Sequence, residues 1–153
     1  MANRLLLWGT ANPEGMSNDY QGIYLNKDDI QSMVQQVEDA NRRSEKIPVH
    51  LEHKGIPVGH VVSAWAHNDT LQCVLQIDHN TLEGSIGSEF VRKGICNELS
   101  LGYLVELQNS SDHGKTRVTN KFLKEISVVK KGARNHCHIH AIADKSFKNS
   151  GSK

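Results

Sequence analysis

A chain of 153 residues has single-domain length and can bury roughly 70% of its unfolded surface, enough for a real core. Eighteen Lys and Arg against seventeen Asp and Glu leave a net charge of +1, which speaks against a dedicated nucleic-acid surface or a polybasic membrane face. No apolar run approaches the ~20 residues of a membrane span, and the stretch at Leu5-Leu6-Leu7-Trp8 is too short for the core of a signal peptide.

Leu5 to Trp8 reads as a short buried strand, and residues 9–22, rich in Gly, Pro, Asn, Ser and Asp, as a loop. A helix follows. Asn26 caps it, Asp28 and Asp29 sit in its first turn, and Ile30, Met33, Val34 and Val37 fall on one face. Ile47 to His53 is a strand opened by a proline, and Val58 to Trp65 a second one. Leu71, Cys73, Leu75 and Ile77 alternate with polar residues, so 71–78 is a half-buried strand reached through a turn at 67–70. Residues 83–93 form a short helix closed by Gly94. Leu99 to Leu107 alternates again, 108–120 is a polar hairpin loop, Phe122 to Val129 is a strand and His136 to Ile142 the last one. Residues 144–153 read as a disordered tail after a domain of residues 1–143. The expected fold is mainly β with peripheral helices: a small, mostly antiparallel, closed or curled barrel of six or seven strands.

Three segments carry reactive side chains: His50-Leu51-Glu52-His53, Glu98 to Tyr103, and Lys124 to Val129. A hydroxyl nucleophile needs a neighbouring base, and the base needs an orienting partner. Ser, His and Glu can fill those roles, although an isolated strand serine is ordinarily just a small residue on the wetter face. Order and flanks sharpen the reading. Ile47-Pro48-Val49-His50-Leu51-Glu52-His53, followed by Val58-Gly59-His60-Val61, resembles the first histidine motif of the herpesvirus capsid maturation proteases, the assemblins. Leu99-Ser100-Leu101 resembles their nucleophile strand. Glu125-Ile126-Ser127-Val128-Val129, followed by Lys131-Gly132-Ala133-Arg134-Asn135, is more similar to the tailed-phage prohead proteases, because the herpesvirus version has a second histidine there. The resemblance spans residues 5–142 and is specific in these three motifs.

It implies that Ser100 is the nucleophile, His53 the general base and Glu125 its orienting acid. His50 and His60 are rival bases, with His50 expected on the opposite strand face from His53; Asp78 and Glu98 are rival orienters. The loop after the third motif implies an oxyanion site, in which Gly132 lets the chain turn sharply, Ala133 offers its N–H and Arg134 holds a water or the oxyanion. Arg134 could equally be a solvated surface cation. The implied activity is a serine endopeptidase, free of cofactors, that cleaves capsid scaffold protein and itself, works as a homodimer and acts inside immature capsids in the host cell. Ala141-Ile142-Ala143 is a conceivable processing junction.

Nine histidines and three cysteines add a competing signal. With no CxxC pair, the cysteines suggest a reduced, intracellular setting. His136, His138 and His140 would share one face of a strand and could bind zinc, while Cys137 faced the core. The blander reading is a polar outer face. A non-catalytic capsid- or scaffold-binding barrel is the other alternative. Trp8 and Trp65 fit core or interface positions better than a ligand cage.

Overall fold

The computed structural model of the chain describes residues 3–13, 25–109, 116–134 and 136–146. Among these residues the elements run β1 (Asn3–Asn12), α1 (Lys27–Arg42), β2 (Pro48–Leu51), β3 (Lys54–His67), β4 (Thr70–Asp78), α2 (Leu82–Arg92), β5 (Glu98–Asn109), β6 (Thr116–Val129) and β7 (Ile139–Ser146). The strands form one seven-stranded mixed sheet in the order β5-β6-β2-β3-β4-β1-β7. Its inner face is aliphatic: Leu5, Leu7, Val49, Val61, Cys73, Leu75, Ile77, Leu99, Ile126 and Val128 are all buried in one cluster. Alternation along each strand puts these side chains on one side and leaves the opposite face for polar residues.

The sheet is mostly antiparallel, as expected, but among the described residues it does not close into a barrel. The β2–β6 pairing is parallel. Among the described residues β5 meets the chain just before β7 through a single bridge, Glu98 to His138. The hydrogen bonds Leu99 N–H to Cys137 O (2.9 Å) and Ile139 N–H to Asn97 O (3.0 Å) flank it. The cause is local: His136 has a left-handed φ of +66°, which kinks the chain, so β7 starts at Ile139 rather than His136 and then pairs with β1.

The helices match expectation closely. Asn26 caps α1 in a reciprocal box, its side chain accepting from Asp29 N–H (2.8 Å) while the Asp29 carboxylate accepts from Asn26 N–H (2.9 Å). Ile30, Met33, Val37 and Ala40 are buried. Thr81 caps α2, accepting from Gly84 N–H at 3.0 Å. Polar stretches extended the strands beyond expectation. Residues 9–12 continue β1, and β5 and β6 pair out to Asn109 and Thr116. Residues 144–146 belong to β7 rather than to a tail, and Arg92 holds Asp144 through a forked ion pair. The rest of the expected loops and tail, residues 14–24, 110–115 and 147–153, lies outside the described residues.

One packing detail bears on the site. β2 pairs with β6 over Ile126–Val128, and among the described residues no strand pairs with the upstream part of β6 on that side. Gln36 of α1 fills the gap: its Nε2 donates to Lys121 O (3.0 Å) and its Oε1 accepts from Leu123 N–H (2.7 Å). A side-chain amide thus replaces a peptide unit just before Glu125.

Candidate active site

His53 was expected on a strand but lies in a turn. Leu51 pairs with Lys54, so Glu52 and His53 form a two-residue hairpin loop, with φ of +55° and +61°. This φ pattern is that of a type I′ turn, which usually takes Asn-Gly. A left-handed conformation costs about 1–2 kcal/mol at each ordinary residue, so other contacts must hold it. β6 supplies them. Glu52 N–H donates to Val128 O (3.0 Å), Lys130 N–H to Glu52 Oε1 (3.1 Å), and His53 N–H to Ser127 Oγ (3.1 Å).

The turn also overturns the expectation that His50 and His53 face apart. His53 doubles back over β6, where its Nδ1 lies 2.7 Å from Glu125 Oε2. The other carboxylate oxygen, Oε1, accepts from the Ser127 hydroxyl at 2.6 Å. The imidazole is about 40% exposed and the carboxylate 13%, so the ring can reach a ligand while its partner is sheltered. Gly102 makes room for this arrangement. It pairs with Glu125 across β5 and β6, and a Cβ at residue 102 would sit 1.7 Å from Glu125 Oε2.

Ser100 pairs with Ser127, so its side chain lies on the same sheet face, one strand from the His53–Glu125 pair. It is 5% exposed. Among the described residues its hydroxyl makes no hydrogen bond, to His53 or to any other group. The structure therefore joins the imidazole and the carboxylate directly, with Ser100 on the same sheet face one strand away.

The electrostatics follow from these contacts. The Glu125 hydrogen bond raises the His53 pKa above its usual 6.5, against an opposing push from partial burial; the charges of Glu125 and Glu52 add to the rise. Burial alone would raise the Glu125 carboxyl. The hydrogen bonds from His53 and Ser127, with the nearby His53 and His50 charges, outweigh it and leave the carboxyl below its usual value.

The rivals are sorted by position. His50 pairs with Ser127, on the Glu125 side, with a buried Nδ1 that has no hydrogen-bond partner among the described residues. His60 pairs with Gln76, and its pKa is lowered by burial and by Lys46. Asp78 accepts from Gln76 Nε2 at 2.7 Å. Glu98 accepts from Gly132 N–H at 2.7 Å. None of these carboxylates bonds to His53 among the described residues.

That last bond corrects the reading of Gly132. Its N–H is committed to Glu98, and its φ is not left-handed. What requires glycine is close approach: a Cβ there would lie 2.7 Å from Leu99 O, one residue from Ser100. Ala133 is exposed. Arg134 is no solvated cation. It is 4% exposed, its guanidinium lies 5.6 Å from the centre of the Tyr103 ring, and Nη2 donates to Tyr103 Oη at 3.0 Å.

The histidine cluster does not converge. His136 sits in its kink with its ring 6.3 Å from that of His138. His140 turns to Thr10 Oγ1 (2.6 Å) and the Trp8 ring. Among the described residues no three His, Cys, Asp or Glu side chains come together to hold a metal. Cys137 is buried as expected. Trp8 and Trp65 are partly exposed, at 44% and 37%, so neither is core.

Sequence reasoning passed over Gly102 and Ser127. The signal was present, since each lies two residues along a strand from Ser100 or Glu125 and therefore on the same face.

No family model and no curated protein matches the sequence. Among solved structures, the fold is similar to that of KSHV protease, crystallised in complex with a hexapeptide phosphonate inhibitor. The TM-score is 0.59 at 12% identity, covering 94% of this chain and 65% of that one. At that identity the likeness is one of fold. This chain spans about 65% of the length of the protein it matches.

Proposed function

We propose that this chain is a serine endopeptidase of viral capsid maturation, with Ser100 as nucleophile, His53 as base and Glu125 as the acid that fixes His53. The observation that carries the reading is the imidazole–carboxylate pair, 2.7 Å apart, on the sheet face that Ser100 shares. A strained turn braced by three hydrogen bonds to β6 and the residue after it is costly to build for packing alone. The likeness to a protease fold supports the same reading.

Glu125 accepts a hydrogen bond from the Nδ1–H of His53, which leaves Nε2 as the base. Nε2 takes the Ser100 proton as Oγ attacks the scissile carbonyl carbon, giving a tetrahedral oxyanion. Its donors are the Ala133 N–H and Arg134, while Gly132 seats their loop against β5. Collapse breaks the C–N bond, and His53 returns the proton to the departing amine. A water, deprotonated by the same nitrogen, then releases the acyl group. The substrate is the capsid scaffold protein, together with this chain's own junction to it. The enzyme works as a homodimer inside immature capsids of the infected cell.

A fluorophosphonate probe tests this directly. The expected result is a single adduct, mapped by mass spectrometry to Ser100 and lost in Ser100→Ala and His53→Ala. The Ser100→Ala chain should also leave co-expressed scaffold uncut. Sedimentation of the labelled species should show a dimer, and full activity in a monomer would remove that part. The burial of Ser100 favours one second reading, a scaffold-binding domain without catalysis; a folded chain that takes no label would establish it over the first.

A further inference from the structure

We infer that Ser127 is a positioning residue of this site, coupling the carboxylate of Glu125 to the backbone of the turn that carries His53. The inference rests on the endopeptidase reading for its kinetic consequence, although the coupling itself is structural.

Ser127 is fully buried. Its hydroxyl has one proton and two lone pairs. The proton goes to Glu125 Oε1 at 2.6 Å, and a lone pair accepts the His53 N–H at 3.1 Å. One side chain therefore grips the base and its acid at once: the base by its main chain, the acid by its carboxylate. Without the hydroxyl, Glu125 loses the partner that holds Oε1 and can rotate away from Nδ1. The His53 amide would then be left without its acceptor in a left-handed turn that already costs energy. A serine at this place serves no such purpose in a plain strand, whose inner-facing neighbours Ile126 and Val128 are apolar. The other charged groups acting on the pair are Glu52, which favours the His53 cation, and His50, which favours the Glu125 anion.

The test compares Ser127→Thr with Ser127→Val, which have the same shape but differ in the hydroxyl, and adds Ser127→Ala. Two quantities are read on the full chain: the NMR titration midpoint of the His53 ring, and the rate of fluorophosphonate labelling at Ser100. Val and Ala should lower the midpoint towards the ordinary histidine value and slow labelling on the order of tenfold, the scale of one lost hydrogen bond to a charged group. Thr should keep both. In a Glu125→Gln background the Thr–Val difference in midpoint should vanish, because the effect passes through the carboxylate. A folded Val variant with both quantities unchanged would overturn the inference, as would a Thr–Val difference that persists without Glu125. A shifted midpoint in a chain that never labels would uphold the coupling and remove the endopeptidase reading.

Discussion

At the scale of single residues, the His53–Glu125 pair fixes the pH behaviour. A base works only when neutral, and its contact with Glu125 keeps His53 protonated to a higher pH than usual. Activity should therefore rise with pH along an acidic limb lying above 6.5, the ordinary histidine value. Glu125→Gln removes the charge that raises this pKa, so the limb should move to lower pH while the maximal rate falls. A limb that stays in place in Glu125→Gln, read from labelling rate against pH, would assign it to another group. The stability linkage has two sides. The raised imidazole contributes stability below its unfolded pKa, which is lost as pH rises through the folded value. The lowered carboxyl contributes above its own unfolded pKa, and that is lost as pH falls through its folded value. The pair thus stabilises most strongly between the two.

At the scale of elements, the site depends on β6, which carries both Glu125 and Ser127 and braces the His53 turn. β6 is in turn held by α1, where Gln36 satisfies Lys121 O and Leu123 N–H. Gln36→Ala leaves those two peptide groups without partners at a half-buried edge. It should cost about 1–3 kcal/mol, the range for an unsatisfied buried group, measured as a shift in urea midpoint at constant slope. Labelling at Ser100 should slow as well, because the loosened segment abuts Glu125. An unchanged midpoint would show that β6 does not rely on the helix. The same scale explains why His53 is served by a turn. An extended strand would point His50 and His53 apart, whereas the left-handed pair at Glu52 and His53 reverses the chain and brings the imidazole over β6.

At the scale of the whole molecule, one aliphatic core lines the sheet and includes Cys73 and Cys96, while Cys137 is buried outside that cluster. Burial pushes the Cys73 and Cys137 thiols up to about 12. Since the thiolate is the reactive form, neither should react with a thiol reagent at about pH 8 until the chain unfolds. Stoichiometric labelling of either cysteine in the native state would contradict this packing. Trp8 lies outside the core, where Nε1 donates to Gln72 Oε1 at 3.1 Å. Gln72 continues to Thr10, and Thr10 to His140, so this network accounts for a histidine that the sequence could equally have assigned to a metal.

Read as a sequence, the chain revealed most of its strands and its helix caps, because alternation, capping residues and proline punctuation are local properties. Short motifs also singled out His53, Ser100 and Glu125 as candidates, and the fold brings His53 and Glu125 into contact. Strand ends in polar stretches, the open edges of the sheet and the parallel β2–β6 pairing were not legible, since pairing is settled by partners remote in the chain. Nor were the left-handed turn at Glu52 and His53, the space that Gly102 leaves for Glu125, or the two bonds of Ser127. Local propensity opposes that turn and is silent on the others. They exist because tertiary contacts outweigh the local cost, and only the folded sheet brings those contacts together.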